Sequence, residues 1–213
     1  MPEIIKTAVD GSLSAADARR AGLAGKGCKT VAFPTESAYA LGSTGLIKAA
    51  TRRLLQIKER STLKPLPVMV HSVEEARKWV EWTPLAEALA AKLWPGPVAL
   101  LLKPNAQGRL LTFPEYPNVA IRVPSHPAAR AMLAASGVPW VYTSANKSGQ
   151  PPLADFAGMN AALGAELDFV VDGGTTASGE ATIVDATGEK PRVTKAGLVS
   201  VEKILEAYAE NSR

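Results

Sequence analysis

The sequence contains few residues that could build a metal site or a disulfide. Its 213 residues include one cysteine, Cys28, and two histidines, His71 and His126. A single cysteine excludes an internal disulfide and any zinc site built from several cysteines, and two histidines are too few for a histidine-rich metal cluster. Magnesium held mainly by water and phosphate oxygens needs no such cluster. We therefore predict no metal site built by the protein and expect any metal to arrive with a nucleotide.

Long apolar runs are also absent from the sequence. No run approaches the roughly 20 residues that a membrane-spanning helix needs. The N-terminal residues 1–6 lack the basic flank and the apolar stretch of a secretory signal. Hydrophobic residues make up 46% of the chain and charged residues 21%, and both shares are ordinary for a globular protein. The sequence therefore predicts a cytoplasmic protein with no membrane partner.

The charge balance is close to even, with a small positive excess. There are 24 lysines and arginines against 20 aspartates and glutamates, which gives a net charge of +4 and a pI near 9.2. This excess suits an anionic partner such as a phosphate-bearing ligand or RNA. The length is sufficient for one α/β domain with its own core, and no repeat or linker divides the chain. We therefore predict a single domain over residues 1–213.

Stretches with strand and helix patterns alternate along the chain. This alternation predicts an α/β (α+β) fold in which helices cover a sheet. Gly25 and Gly27 are expected to end the first helix, and Pro34 to end the first strand. The predicted strands are 30–33, 68–70, 98–102, 119–123, 140–142 and 169–171, and the predicted helices are 14–23, 47–55, 84–92, 126–136 and 200–209.

A glycine-rich segment, residues 22–30, partly matches a phosphate-binding P-loop. That motif requires a glycine directly before its lysine and leads into a helix, whose N-terminal amides hold the phosphate. Here Cys28 precedes Lys29, and the segment leads into a predicted strand. We therefore interpret it as the end of a helix.

A second set of motifs leaves one alternative enzyme class open. Residues 61–64 (STLK), 144–146 (SAN) and 195–197 (KAG) imitate, in order, the three signatures of penicillin-binding serine acyltransferases. The first signature needs its serine and lysine on one helical face. Pro65 and Pro67 follow directly and disfavour a helix there. We therefore rank acyl transfer below the function that the next motifs indicate.

Five short segments in a fixed order carry the strongest signal. Each is weak alone, but together they resemble the threonylcarbamoyl-AMP synthases, also called the YrdC-like family, over residues 30–197. The segments are PTESAYALG at 34–42, KER at 58–60, WPGP at 94–97, VAIRVP at 119–124 and TSANKSG at 143–149.

The resemblance implies a fold and an activity. The fold would be a single YrdC-like domain, a twisted mixed parallel and antiparallel sheet flanked by helices with a basic concave face, without the additional C-terminal domain of longer members. The activity would be that of a nucleotidyltransferase that makes threonylcarbamoyl-AMP and pyrophosphate from L-threonine, bicarbonate and ATP with magnesium. The product would serve the threonylcarbamoyladenosine modification of tRNA, with downstream tRNA-modification proteins as partners.

The resemblance assigns catalysis to four residues. Lys58 and Arg60 would supply positive charge where negative charge accumulates. Ser144 and Asn146 would supply neutral hydrogen-bond donors to phosphate or carbamate oxygens. Lys58, Arg60 and Ser144, together with Lys195, would also bind the nucleotide. Without the resemblance, Lys58 and Arg60 would be interpreted as solvated charges near a helix end.

The resemblance also assigns L-threonine binding to Thr35, Arg122 and Thr182. A planar guanidinium suits a carboxylate because it can donate two parallel hydrogen bonds. Taken alone, Arg122 would be interpreted as a surface charge at a strand end and Thr35 as a cap on the turn beside Pro34. Glu36 stays open between a hydrogen bond to the amine or hydroxyl of threonine and neutralisation of a nearby lysine.

Five positions depart from the family pattern. Ser37 replaces a threonine and Ala40 a glycine, and both changes are small. Ala99 stands where the family has a nucleotide-contacting threonine, Ala181 where it has a substrate-contacting serine, and Lys195 where it has an ATP-contacting arginine. Each lost neutral hydrogen bond is worth roughly 1 kcal/mol. A synthase with weakened binding and a diverged paralogue both fit these changes. The alternative is therefore an RNA-binding module without synthase activity, whose partner is tRNA or double-stranded RNA.

Overall fold

The computed structural model describes residues 1–59, 65–111, 113 and 116–209. Within these ranges, ten strands form one sheet. The strands are β1 (Glu3–Lys6), β2 (Val31–Pro34), β3 (Tyr39–Thr44), β4 (Val68–Met69), β5 (Val98–Leu102), β6 (Val119–Arg122), β7 (Trp140–Ser144), β8 (Phe169–Asp172), β9 (Thr182–Asp185) and β10 (Arg192–Lys195). Their order across the sheet is β1, β8, β2, β3, β7, β4, β6, β5, β9 and β10.

The sheet is mixed, which confirms the predicted fold class. The pairs β1–β8, β8–β2, β4–β6 and β5–β9 are parallel, and the remaining neighbours are antiparallel. The α-helices are α1 (Ala15–Lys26), α2 (Lys48–Ile57), α3 (Val73–Arg77), α4 (Pro84–Leu93), α5 (Pro127–Ser136), α6 (Phe156–Leu163) and α7 (Val201–Ala209), and short 3-10 turns cover Gly108–Leu111 and Gly164–Glu166. None of the helices in the described ranges combines the length and apolar character that a membrane crossing requires.

The predicted strands and helices are all present, with ends that differ by no more than three residues. The sequence patterns did not reveal β1, β3, α3, α6, β9 or β10. Strand β3 has the sequence YALGST, whose alanine and glycine carry little strand propensity. It lies between β2 and β7 in the sheet, so tertiary packing, rather than local preference, makes it a strand.

Helix α1 runs past Gly25 to its C-cap, Gly27, although both glycines were predicted to end it. Ser14 caps its N-terminus by accepting a hydrogen bond from the amide of Asp17 at 3.1 Å. Gly27 caps its C-terminus, which confirms that residues 22–30 end a helix. Gly25, predicted as a stop, lies inside the helix, and a Cβ there would fall 2.1 Å from the ring of Trp140. Its small size allows the helix to pack closely on the sheet.

Buried side chains lie on both faces of the sheet. On β2, Val31 and Phe33 pack in one cluster with α1 and α5, whereas Ala32 belongs to the cluster on the opposite face, as expected for alternating strand residues. The second cluster includes Leu54 of α2, Leu89 of α4 and Ile204 of α7. Helices therefore cover both faces of the sheet, and each face packs in its own hydrophobic cluster.

The strand register brings the ends of several strands together. Ala40 pairs with Ser144, and Met69 pairs with Arg122. The turn between β2 and β3 thus lies beside the end of β7, and the end of β6 lies beside β4. This arrangement places residues from distant parts of the chain at one edge of the sheet.

Candidate active site

A cavity of about 660 Å³ lies where these strand ends meet. Its volume is within the range of roughly 300–1,000 Å³ that is typical of ligand sites. Thr182 is not among its lining residues, and Arg60 lies outside the described residues. The predicted site residues that line it are Thr35, Lys58, Arg122, Ser144, Asn146 and Lys195.

The described lining carries more positive than negative side chains. Lys58, Arg122 and Lys195 are the cations, and Glu59 and Glu180 are the carboxylates. This balance agrees with the predicted basic concave face. The excess over the described lining is one positive charge, which suits an anionic ligand.

Lys58 follows helix α2 as its C-cap and is only 5% exposed. Its Nζ donates a hydrogen bond to the carbonyl oxygen of Ser144 at 2.9 Å and another to Oδ1 of Asn146, and it lies 3.4 Å from Oγ of Ser144. A buried ammonium is costly unless such acceptors surround it. The alternative interpretation of Lys58 as a solvated charge is therefore wrong.

Ser144 and Asn146 complete one hydrogen-bonded group with Lys58, here called the Lys58 cluster. Oγ of Ser144 donates to Oδ1 of Asn146 at 2.7 Å. The amide nitrogen of Asn146 donates to the carbonyl oxygens of Lys147, at 3.1 Å, and Gln150. Oδ1 of Asn146 thus accepts from both cluster partners. A bound oxyanion can accept hydrogen bonds from Lys58 and Ser144 in place of this amide oxygen.

Lys147 was not predicted as a site residue, yet it connects the two chain segments that carry the Lys58 cluster. Its Nζ donates to the carbonyl oxygen of Ile57 at 3.1 Å, lies 3.0 Å from Oε1 of Glu59 and also pairs with Glu166. The hydrogen bond to Glu166, reinforced by Glu59, raises the pKa of Lys147 above its usual range. Its position directly after Asn146 in the SANKSG segment was the only sequence signal for this role.

Arg122, at the end of β6, is 1% exposed and held on several sides. Its Nε donates to the carbonyl oxygen of Gly96 at 3.0 Å, and its Nη2 donates to the carboxylate of Glu36 and lies 3.4 Å from Oγ of Ser37. Its guanidinium carbon lies 5.9 Å from the ring centroid of Tyr142. The alternative of a surface charge at a strand end is therefore wrong for Arg122.

Glu36, Arg122 and Tyr142 shift one another's pKa values. Burial favours the neutral form of Glu36, but the neighbouring guanidinium outweighs it and holds the pKa of Glu36 below its ordinary value of 4.5. Burial likewise opposes the charge of Arg122, and Tyr142 and Glu36 outweigh it, so the pKa of Arg122 is raised. Burial raises the pKa of the Tyr142 hydroxyl. At neutral pH the group thus holds an ion pair beside a neutral phenol.

Thr35 closes the turn that follows β2. It is 2% exposed, and its Oγ1 donates to the carbonyl oxygen of Ala38 at 2.6 Å while accepting from the amides of Ser37 and Ala38 at 3.2 Å. These bonds are those of a turn cap. Thr35 also lines the cavity, so its contact with threonine stays a prediction.

Lys195 and Thr182 have different surroundings. Nζ of Lys195 lies 2.8 Å from Oε1 of Glu180, and both residues line the cavity. Thr182 is fully buried, and its hydroxyl donates to the carbonyl oxygen of Val199 at 2.7 Å and accepts from the Val199 amide at 3.1 Å. This placement speaks against the predicted contact between the Thr182 hydroxyl and a ligand in the cavity, because both bonds hold the chain segment before α7.

Of the residues that depart from the family pattern, Ala181 lies at the cavity and Ala99 lies in the core. Ala181 lines the cavity, so the hydroxyl missing there is missing from the ligand surface. Ala99 is fully buried in β5 and is not among the lining residues. The serine and lysine of the first acyltransferase signature, at 61–64, lie outside the described residues.

Tyr39 is a further lining residue that sequence reasoning did not single out. Its hydroxyl donates to the carbonyl oxygen of Gly174 at 3.1 Å and accepts from the amide of Gly173 at 2.8 Å. Burial, with the nearby charges of Asp172 and Asp155, raises the pKa of Tyr39 to about 12. The neutral phenol thereby fixes the loop that follows β8 against the cavity.

Comparison with known families identifies the chain. The Sua5/YciO/YrdC family model, described as telomere recombination, matches residues 26–197. The chain belongs to the Sua5/YciO/YrdC family. Among its relatives, the threonylcarbamoyl-AMP synthase of Xanthomonas euvesicatoria pv. vesicatoria is 38% identical over 155 residues, which cover 71% of this chain and 83% of the relative. The threonylcarbamoyl-AMP synthase of Pyrococcus abyssi is 33% identical over 185 residues, which cover 85% of this chain and 54% of the relative.

Solved structures of this family have the same fold. Pyrococcus abyssi Sua5 in complex with L-threonine matches with a TM-score of 0.87 and 28% identity, covering 97% of this chain and 60% of the Sua5 chain. Escherichia coli YciO matches with a TM-score of 0.87 and 24% identity, covering 96% of this chain and all of that chain. The chain therefore spans about 60% of the Sua5 structure and the full length of YciO.

Proposed function

We propose that this Sua5/YciO/YrdC-family chain is an L-threonylcarbamoyladenylate synthase, a nucleotidyltransferase that forms threonylcarbamoyl-AMP and pyrophosphate from L-threonine, bicarbonate and ATP. The product is the activated donor for the threonylcarbamoyladenosine modification of tRNA. One observation carries the proposal: the Lys58 cluster and the buried Arg122 line the same cavity. Relatives named threonylcarbamoyl-AMP synthase and a relative solved with L-threonine support it.

The proposed chemistry needs no protein nucleophile. The threonine amine attacks the carbon of bicarbonate, and water leaves to give a carbamate. A carbamate oxygen then forms a bond to the α-phosphorus of ATP, while the bond from that phosphorus to the bridging oxygen breaks and pyrophosphate leaves. Negative charge accumulates on the phosphoryl oxygens, where preorganised donors lower the barrier.

The described side chains divide between the two substrates. Arg122 offers a guanidinium to the carboxylate of threonine. Lys58, with Ser144 and Asn146, offers charge and donors to the carbamate and the α-phosphate. Lys195 contacts more distant phosphates of ATP. Arg60, which lies outside the described residues, stays a predicted source of positive charge.

Magnesium enters this proposal as part of its ATP complex. In the described ranges, no group of three or more His, Cys, Asp or Glu side chains is arranged to hold a metal. The acidic lining residues are each engaged with a lysine, Glu59 with Lys147 and Glu180 with Lys195. The donor set therefore suits a magnesium ion that phosphate oxygens and water coordinate, with the chain binding the complex through cations.

The decisive experiment measures pyrophosphate release from magnesium–ATP with threonine and bicarbonate each present or omitted, and detects the adenylate directly. We expect release only when both are present, and a lower rate with serine because it lacks the β-methyl contact. Release that is independent of the amino acid would contradict the synthase function. No described contact favours the RNA-binding alternative. A chain that binds double-stranded RNA of any sequence, with steep salt dependence and no adenylate formation, would establish it instead.

A further inference from the structure

Glu36 is the acidic residue of the PTESAYALG segment, and it is not among the residues that line the cavity. Its neighbours Thr35 and Ser37 do line it, as does Arg122. The side chain of Glu36 is 17% exposed and pairs with Nη2 of Arg122. A carboxylate that pairs with Arg122 from outside the cavity can hold the side chain of that arginine in place.

The backbone around Glu36 is fixed on both sides. The hydroxyl of Thr35 closes the turn over residues 35–38 through bonds to the amides of Ser37 and Ala38 and to the carbonyl of Ala38. The second carboxylate oxygen of Glu36 lies 3.4 Å from the backbone nitrogen of His126, which donates to it. His126 is the N-cap of α5, and a helix N-terminus favours a negative charge.

Glu36 therefore bridges two fixed elements, the turn after β2 and the start of α5, and presents its other oxygen to Arg122. Two of the three guanidinium nitrogens are thus engaged. Nε donates to the carbonyl oxygen of Gly96, and Nη2 donates to Glu36 and to the hydroxyl of Ser37. A guanidinium has five N–H donors in a rigid plane, so fixing Nε and Nη2 fixes the direction of the whole group.

We propose that Glu36 is a positioning residue for Arg122, which it holds in the orientation that binds the carboxylate of the amino-acid substrate. This inference rests on the proposed function for the role of Arg122. In this role Glu36 contacts Arg122 and not the substrate. The alternative role would be to accept a hydrogen bond from the threonine amine.

The same contact compensates the charge of the buried Arg122. An unpaired charge in a buried position is strongly unfavourable. Glu36 balances the charge of the guanidinium through Nη2, and the substrate carboxylate binds to other N–H donors of the same plane, so the two carboxylates do not compete for one donor. Removing Glu36 should therefore both loosen Arg122 and destabilise the empty protein.

The test separates the carboxylate of the ligand from its amine. Binding of threonine, of 3-hydroxybutyrate, which lacks the amine, and of threoninol, which lacks the carboxylate, is measured by calorimetry for the parent, Glu36→Gln and Glu36→Ala. A positioning role predicts that Glu36→Ala weakens threonine and 3-hydroxybutyrate by the same factor, about tenfold or more, and leaves threoninol within twofold. Glu36→Gln, which keeps one acceptor for Nη2, should fall between the parent and Glu36→Ala.

Asp185→Asn is the matched control, because Asp185 is 14% exposed, pairs with Arg192 and does not line the cavity. It should bind all three ligands like the parent. Loss of threonine and threoninol binding with unchanged 3-hydroxybutyrate binding would overturn the proposal and assign Glu36 to the amine. An equal loss of affinity for all three ligands would also overturn the proposal, because it would indicate a general structural effect.

The outcome is independent of the synthase assay. A parent chain that binds threonine but releases no pyrophosphate would contradict the proposed function, and the three-ligand comparison would still decide the role of Glu36. A parent chain that binds neither carboxylate ligand would overturn the role of Arg122 and that of Glu36 together. In an active chain, Glu36→Gln should raise KM for threonine several-fold and leave KM for ATP and kcat within about twofold.

Discussion

Nζ of Lys195 lies 2.8 Å from Oε1 of Glu180, and both side chains line the cavity. The two side chains are 45% and 42% exposed, so the pair is largely solvated and weak, worth roughly 0–1 kcal/mol. An ATP phosphate that binds Lys195 must compete with Glu180 for the same ammonium. Glu180 therefore opposes nucleotide binding by a small amount.

The first prediction follows from this competition. Glu180→Gln should tighten ATP binding by about two- to fivefold, up to roughly 1 kcal/mol, because the competing charge is gone. The gain should shrink with added salt, which screens exposed charges. Calorimetric titration of ATP at fixed magnesium measures it. Glu189→Gln makes the same charge change at an exposed glutamate that does not line the cavity and should have no effect on ATP. Weaker ATP binding in Glu180→Gln would remove Lys195 from the nucleotide site.

The second prediction concerns the Lys58 cluster. Lys58→Met keeps the unbranched shape of the side chain, one atom shorter, but removes its charge, so turnover should fall by about 10²-fold or more. Asn146 and Ser144 would also lose a hydrogen-bond donor, which should lower the free energy of unfolding by about 1–3 kcal/mol. Pyrophosphate release and chemical denaturation measure the two effects.

Lys48→Met is the control for this change on the same helix. Lys48 donates to the carbonyl oxygen of Leu110 at 2.8 Å, at the other end of α2, and does not line the cavity. Its replacement should leave turnover near the parental value. Parental turnover in Lys58→Met would mean that Lys58 is not part of the catalytic group.

The third prediction tests Thr182. Because its hydroxyl both donates to and accepts from the backbone of Val199, Thr182→Val should lower the free energy of unfolding by about 1–3 kcal/mol. The KM for threonine should stay within about twofold. Thr194→Val, at an exposed position on β10, should change stability by no more than about 0.5 kcal/mol. A large rise in KM with unchanged stability would restore Thr182 as a substrate contact.

Local sequence patterns were sufficient for the strands and helices whose apolar residues alternate or recur with helical spacing. They were insufficient where packing overrides preference. Gly25 is a helix breaker by propensity, yet it lies within α1, where the ring of Trp140 occupies the space that a side chain would need. This contact is not encoded in the neighbouring residues. Pro34, predicted to end the first strand, is the last residue of β2, so that prediction is confirmed.

The candidate site shows the same limit. Motif resemblance brought Lys58, Ser144 and Asn146 together although 86 residues separate the first two. It did not reveal Lys147, whose partners come from α2 and from the segment after α6. It also did not decide the partner of Glu36, expected as threonine or a lysine and found as Arg122. Such pairings depend on the path of the chain between motifs, which no single motif contains.

The last prediction concerns the pH dependence of the ion pair between Glu36 and Arg122. The pKa of Glu36 is lowered in the folded protein from its ordinary value of 4.5. A group with a depressed folded pKa contributes stability that is fully present above its unfolded pKa and is lost as the pH falls through its folded pKa. The free energy of unfolding of the parent should therefore exceed that of Glu36→Gln by a constant amount from pH 7 down to about pH 5.

Below that range the two proteins should converge, because a protonated Glu36 carries no charge and resembles the glutamine. Chemical denaturation of both proteins at several pH values between 7 and 3 measures the difference, and Glu189→Gln should differ little from the parent throughout. Convergence would show that the charge of Glu36, rather than its shape, stabilises the buried guanidinium. A difference that stayed equal at pH 7 and pH 3 would contradict this account, since it would have to arise from packing of the glutamate side chain.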